Sequence, residues 1–378
     1  MTPPRDPVAA VTHPDPYPYY ADLAARRPLY RDDGLGLWVA SSAAAVTAVL
    51  TSDLCRVRPT AEPVPVALVG SPAGDIFRRL VRMNDGPAHG PTKQAVSAAL
   101  EALDIGRVAT VSRERARALV DEMAPQTDAR RLTDFAFRLT AEVVGSLLGA
   151  APNTLPSIAR WTDDFVRCLA PGARPEQLER GKAAAGHLLD IGRSLTTAGG
   201  LFTTLDHAAR AEADAIVANA IGFLSQSYEA TAGLIGNTLL ALVIRADLRR
   251  AIPAVVLEVL RHDPPIQNTR RFVARDGNVA GVELSAGDAI LVVLAAANRD
   301  PAVNPDPAHF DVTRAAPHVF TFGVGAHACP GAMLATTIAA AAVQQLITSG
   351  LVFEGLAESM TYRPSVNARI PLFAAHEA

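Results

Sequence analysis

Residues 212–245 make one long helix-patterned run, apolar around most of its circumference. A helix that is apolar on every side is stable only when other elements cover it, so this one must cross the middle of the molecule. Its surroundings agree. From 88 to 250 the pattern is almost wholly helical, with segments near 91–103, 105–123, 132–149, 155–170 and 176–197 divided by Pro, Gly or Asn. A further helix, 250–262, stops at Asp263-Pro264-Pro265, because proline cannot continue it. The apolar stretches at 234–244 and 332–347 carry polar residues within helical patterns, so core helices are expected there and not membrane spans.

Strand signals lie at the two ends. Asp15-Pro16 opens a short helix through Arg27; Leu29-Tyr30 and Leu37-Trp38-Val39 flank a turn at Asp32-Asp33-Gly34 and read as a hairpin. Ser41-Ser42 then cap a helix to about Thr51, and residues 56–75, rich in Pro, Val and Gly, read as a long loop. Arg271 to Ala274 and Val279 to Leu284 read as strands about a turn at Asp276-Gly277-Asn278. Leu351 to Glu354 and Ile370 to Phe373 suggest a small terminal sheet. The expected class is mainly α with small β-sheets.

Composition narrows the function. About half the chain (49%) is apolar and 19% is charged, which suits a large core and excludes disorder. Lys and Arg number 35 against 38 Asp and Glu, so the basic excess of a nucleic-acid binder is missing. At about 150 residues per domain two domains are conceivable, yet one large fold also reaches 378 residues, and a single domain over 1–378 is expected. The N-terminus has no apolar run of signal length. The three scattered cysteines, Cys55, Cys168 and Cys329, form no C-x-x-C pair and fit a reducing compartment, so a cytoplasmic protein without a membrane anchor is expected.

Cys329 differs from the other two. It lies in Phe322-Gly323-Val324-Gly325-Ala326-His327-Ala328-Cys329-Pro330-Gly331, just ahead of a helix from Ala332 to Thr348. Glycines reach backbone turns closed to other residues, and here could aim several amide N–H groups at one sulfur. A helix N-terminus also favours negative charge. Both effects lower a thiol's pKa, so a thiolate is expected at Cys329. Cys55 and Cys168 read as buried and inert.

The spacing Phe322-x-x-Gly325-x-His327-x-Cys329-x-Gly331 resembles the haem-ligating signature of the cytochrome P450 family. The likeness runs through the chain in order. Glu258-Val259-Leu260-Arg261 resembles the family's Glu-x-x-Arg helix, and Asn298-Arg299-Asp300-Pro301 through Pro305 to Asp311 resembles the segment that follows. The 212–245 helix stands where the family has its distal helix. The resemblance implies the cytochrome P450 fold and a haem b cofactor, with Cys329 as the axial thiolate on iron. It places Phe322 beside the haem and Gly323 and Gly331 in the ligand loop. It gives Glu258 and Arg261 a structural role, with His309 at the third position, where Arg is usual. It assigns the haem propionates to His327, Arg270, His89 and Lys93, with Lys for the usual Arg, so a bidentate grip is lost there.

The distal helix departs from the family pattern. Its usual small pair, acid and alcohol correspond here to Gln226-Ser227, Glu229 and Ala230. Alanine cannot hydrogen-bond through its side chain, so proton delivery must use Glu229, Ser227, Gln226, ordered water or the substrate. Thr231 is rotated about 100° further round the helix and should not face the iron. Pocket walls implied by the resemblance are 56–80, 160–200, 220–231, 266–269 and 364–369. They include Val64, Val66, Leu68, Val69, Phe165, Phe223, Ile266, Asn268, Val366 and Asn367.

The expected activity is that of a haem-thiolate monooxygenase acting on a small organic molecule in natural-product tailoring. Ferredoxin and ferredoxin reductase are the expected electron donors, separate from a monomeric haem domain with no fused reductase or ferredoxin. Alternatives are oxidative C–C or C–N coupling, ring closure, nitration or peroxide-driven oxidation, and a non-catalytic haem-binding module.

Overall fold

The computed structural model describes residues 2–87, 89–195, 213–358 and 360–374. Residues 196–212 lie outside the described residues. They include the end of the 176–197 segment, the 196–200 part of the pocket wall and the start of the 212–245 run.

Helices α1 (Tyr17–Arg26) and α2 (Ala43–Thr51) flank a hairpin of β1 (Leu29–Asp32) and β2 (Leu37–Ala40). The Ser42 hydroxyl accepts from the Ala45 N–H and caps α2 as its sequence predicts. The hairpin becomes a five-stranded sheet when β2 pairs parallel with β7 (Ala289–Val292). Then β7 pairs antiparallel with β4 (Thr269–Val273), and β4 with β3 (Cys55–Arg56). The sheet and the helices around it carry two small apolar clusters of their own.

The main core is helical. It is built from α3 (Pro72–Arg79), α4 (His89–Glu101), α5 (Ile105–Met123), α6 (Leu132–Leu147), α7 (Leu155–Leu169), α8 (Pro175–Leu195), α9 (Ala213–Ile244), α10 (Ile252–His262) and α12 (Ala332–Thr348). A short α11 (Leu294–Asn298) follows the sheet. As expected, α9 runs through the centre and packs on α6, α12, α10 and α3. By length and composition it could cross a membrane, but most of it is buried against these helices. Two glycines permit that approach. A Cβ on Gly233 would lie 2.8 Å from Pro265 Cβ, and one on Gly236 2.9 Å from Pro371 Cδ.

Three local expectations are corrected. Residues 56–75 are not one loop: α3 starts at Pro72, with the Ser71 hydroxyl accepting from the Gly74 N–H. A Ser-Pro pair is a helix-start signal. The strand expected over 279–284 is a hairpin of β5 (Gly277–Val279) and β6 (Val282–Leu284), turning at Ala280 (φ 54°) and Gly281 (φ 83°). In the terminal sheet β9 (Pro371–Leu372) pairs with β8 (Thr361–Tyr362), and Leu351 to Glu354 form no strand. Leu351 and Phe353 pack into the helical core instead.

Candidate active site

The cysteine loop is held from behind by α10 and α11. Asn298 Nδ2 donates to the Leu260 carbonyl (3.0 Å) and to Thr321 Oγ1 (2.9 Å), and Asn298 Oδ1 accepts from the Phe320 N–H (2.6 Å). Thr321 Oγ1 donates to the same Leu260 carbonyl (2.6 Å). The loop then turns through Gly323 (φ 67°) and Gly325 (φ 74°), a region in which side chains are strained. A Cβ on Gly325 would also be crowded, standing 3.3 Å from the Leu50 carbonyl oxygen. The Cys329 N–H closes the loop on the Phe322 carbonyl (2.7 Å).

This geometry presents Cys329 Sγ with the Gly331 N–H donating to it at 3.4 Å. Sequence reasoning expected several such amides and a lowered thiol pKa. Only the Gly331 bond is found among the described residues. Burial pushes the thiol up, against the pull of Gly331, Lys93 and Arg82. A coordinated metal ion would supply the thiolate form, since it deprotonates a coordinating thiol outright. Cys329 is nevertheless exposed by surface area. A group both exposed and desolvated faces a space enclosed by protein. Cys55 and Cys168 are buried in cores, and burial pushes both thiols up, Cys168 to about 12. Cys168 is packed against Gly181, where a Cβ would come within 2.2 Å of the Cys168 Cβ.

Three of the cations named from the sequence, His89, Lys93 and His327, lie by this loop. Lys93 Nζ donates to the Ala328 carbonyl, one residue from Cys329. The His89 and His327 rings lie 4.3 Å apart. His327 Nε2 donates to Asp85 Oδ1 (2.9 Å), and the Val57 N–H donates to Asp85 Oδ2 (2.9 Å). Against the upward push of burial, those two bonds hold Asp85 below the usual carboxylate range. His89 is buried and its Nε2 has no hydrogen-bond partner among the described residues. Burial, then the charges of His327 and Lys93, hold its pKa down. Arg270 is exposed on β4, and alternation sends its neighbour Arg271 to the buried face. An exposed sulfur in a glycine cradle, an orphaned His89 nitrogen and this set of cations fit a haem: sulfur for the iron, donors for the propionates.

Glu258 and Arg261 are buried as a pair, joined by Arg261 Nε to Oε2 (3.0 Å) and Nη2 to Oε1 (2.5 Å). Arg261 also donates to the carbonyls of Pro307 (2.8 Å) and His309 (3.0 Å). The third member expected at His309 is corrected. Its ring is exposed, and only its backbone carbonyl takes part. The third side chain is Arg314, whose Nε lies 3.5 Å from Glu258 Oε1.

On α9, Gln226, Glu229 and Ala230 share one half-buried face, as residues three and four apart do. Thr231 is fully buried with its Oγ1 unpartnered, off that face as expected. Ser227 Oγ donates to the Phe223 carbonyl (2.6 Å), so its proton is held within the helix. Glu229 Oε1 accepts from Arg363 Nη1 (3.1 Å). Burial pushes the Glu229 carboxyl up, partly offset by Arg363. Of the pocket residues, Val64 and Ile266 are half-buried, Val66, Val69 and Val366 exposed, and Leu68 and Phe223 buried. Phe165 shows no exposed surface and is a packing residue of the core. The Asn268 amide donates to the Val366 carbonyl (2.9 Å), so this polar hook is already taken. Sequence reasoning gave no role to Arg82, Asp85, Asn298, Arg314 or Arg363. Of these, only Asn298 lies within a segment that resembles a family motif.

Comparison with known proteins agrees with this geometry. The sequence profile described as Cytochrome P450 matches residues 249–349. The chain is 30% identical over 349 residues to 6-deoxyerythronolide B hydroxylase of Saccharopolyspora erythraea, covering 85% of this chain and 85% of that one. It is 29% identical to cytochrome P450 monooxygenase PikC of Streptomyces venezuelae, covering 88% and 83%. The crystal structure of CalO2 superposes with a TM-score of 0.83 at 26% identity, covering 99% of this chain and 100% of that one. The chain belongs to the cytochrome P450 family. It is a monooxygenase-type oxidoreductase whose cofactor is a haem.

Proposed function

We propose that this protein is a haem b monooxygenase that oxidises a small organic molecule in natural-product tailoring. Ferredoxin and ferredoxin reductase supply its electrons, and it works as a monomeric single domain in the cytoplasm. The observation that carries the reading is Cys329 Sγ, desolvated yet open to an enclosed space, with the Gly331 N–H on it. Thiolate-ligated haem, when bound, supplies dioxygen activation by favouring O–O cleavage. The chain's own residues do the rest. Gly331 and the loop orient the sulfur. His89, Lys93, His327 and Arg270 neutralise carboxylates. Gln226 and Glu229 form the polar edge of the substrate space, beside Ala230. The tailoring role is supported by relatives named 6-deoxyerythronolide B hydroxylase and mycinamicin IV hydroxylase/epoxidase.

A second reading is favoured by one observation. No hydroxyl stands on the Gln226–Ala230 face, since position 230 is alanine and Ser227 donates into its own helix. A substrate-borne proton or a coupling, ring-closing or nitrating outcome then replaces simple hydroxylation. The test begins with iron ligation. Cys329→Ala abolishes the thiolate-type absorption of the reduced carbonyl adduct, while Cys55→Ala and Cys168→Ala keep it. Survival of that absorption in the Cys329 variant overturns the assignment.

A further inference from the structure

The turn ahead of α4 carries a cation outside the set that the resemblance gives to the haem. Residues Val81–Met83 form a short helical turn fixed against α9. The Val81 N–H donates to Asn219 Oδ1 (2.9 Å), and Asn219 Nδ2 donates to the Arg79 carbonyl (2.9 Å). Asn84 Nδ2 closes the other end on the carbonyls of Arg78 (2.9 Å) and Leu80 (2.7 Å). Gly222 shows how close the two surfaces come. A Cβ there would stand 2.8 Å from Gln226 Nε2 and 2.9 Å from Leu80 Cδ2. Leu80 and Val81 are buried in this contact.

Arg82 follows them and is exposed by surface area. It makes no hydrogen bond or ion pair among the described residues. Burial nevertheless lowers its pKa, and its charge acts on both Cys329 and Glu229. Leu80 and Gln226 meet at Gly222, so the turn lies beside Gln226 on α9, and the charge of Arg82 reaches both the cysteine loop and Glu229. Glu229 is no full counter-ion for it, because Arg363 already holds that carboxylate at 3.1 Å. The next acid along this wall, Asp163, is paired with Arg167 at 2.6 Å. The space therefore has a surplus positive charge on its α9 side. Gln226, one turn from Glu229, also has no hydrogen-bond partner among the described residues.

The propionates do not account for Arg82. The resemblance gives the propionates to His89, Lys93, His327 and Arg270, and Arg82 is not among them. An enclosed guanidinium without a partner is costly to keep unless a ligand meets it. Its planar fork suits a carboxylate bidentately.

We propose that the substrate carries a carboxylate, that Arg82 binds it, and that Gln226 adds a second hydrogen bond. Arg82 is then a specificity-determining residue for the proposed monooxygenase, and the inference rests on that reading.

The test uses haem-loaded protein and optical titration of distal-ligand displacement. The probes are dodecanoate and 4-phenylbutanoate, each against its methyl ester. The native protein should prefer each acid over its ester at least tenfold. Arg82→Gln should equalise acid and ester, and Arg82→Lys should keep part of the preference. Haem content and the thiolate signature should not change in either variant. The inference is overturned if the native protein binds acid and ester alike, or shows no shift with either acid. It is also overturned if Arg82→Gln loses haem while keeping the acid preference, since the guanidinium would then serve a propionate. Should Arg82→Gln not fold, the native comparison and Arg82→Lys decide. A native protein without the thiolate signature fails the functional reading itself. Parity of acid and ester with that signature intact fails only the inference.

Discussion

Arg314 Nε stands 3.5 Å from Glu258 Oε1, and the rest of its guanidinium donates to the carbonyls of Pro305 (2.7 Å), Asp306 (2.7 Å) and His309 (2.9 Å). Glu258, buried with Arg261, therefore has two cations, one of them from a loop far along the chain. Arg314→Ala should cost ~1–3 kcal/mol in urea unfolding, because it removes three loop hydrogen bonds and weakens a buried ion pair. His309→Ala leaves the carbonyl in place and should change stability by less than about 0.5 kcal/mol. Equal losses in the two variants would return the third position to His309.

His262 should make the fold acid-sensitive. Its Nδ1 accepts from Arg299 Nη2 (2.9 Å) and its Nε2 donates to the Ala308 carbonyl (3.0 Å), so the ring is neutral. Burial first, then the charge of Arg299, pushes its pKa down to about 4, against about 6.5 in an unfolded chain. A depressed folded value gives stability that is whole above the unfolded pKa and is lost as pH falls toward the folded one. The ring is partly exposed, so the loss between pH 7 and pH 4 should be ~1–3 kcal/mol of the full linkage. His262→Gln should flatten that portion of the stability profile relative to native protein. An unchanged slope overturns the assignment.

Asn298 joins the end of α10 to the cysteine loop by three hydrogen bonds. Asn298→Ala leaves the Phe320 N–H without its acceptor and should cost ~2–4 kcal/mol. The loss should fall on the ligand loop, so haem transfer to apomyoglobin should quicken several-fold. A destabilised variant that keeps its haem as long as native protein would separate the two elements.

Glu229 and Ala230 test the distal face. Glu229→Gln should lower product and raise peroxide release if protons pass through that carboxyl. Ala230→Thr should give no large gain with the native substrate, because the chemistry is organised without that hydroxyl. A tenfold rise in coupled turnover, ~1.4 kcal/mol of barrier, would mark the alanine as a defect. Burial raises the Glu229 pKa. Its contribution to stability is then lost as pH rises through the window above the ordinary Glu value, and Glu229→Gln should remove that dependence.

What the sequence made legible was local or carried by spacing. The Ser42 cap, the long α9, the Glu258–Arg261 pair and the Cys329 loop each announce themselves within a few residues. Arg314 did not, because its role depends on a loop folding back on α10. Arg82 did not, because only Asn219, far along the chain, fixes which way its turn faces. The Cys329 thiol was misjudged for a related reason. Glycines and a helix start are visible in sequence, whereas the burial that outweighs them is a property of the assembled fold. Phe165 has a pocket's chemistry and a core's location, and periodicity does not separate the two.

Asn219 has a mechanical consequence. It bonds both the Val81 amide and the Arg79 carbonyl, so this turn is tied to α9 at two backbone groups. Ahead of α3, Val66 and Val69 stand exposed on either side of buried Leu68. The Leu68 carbonyl takes the Ser71 hydroxyl at 2.6 Å, where Gly74 leaves room for it. That short turn hangs from the core by a single leucine between two solvent-facing valines.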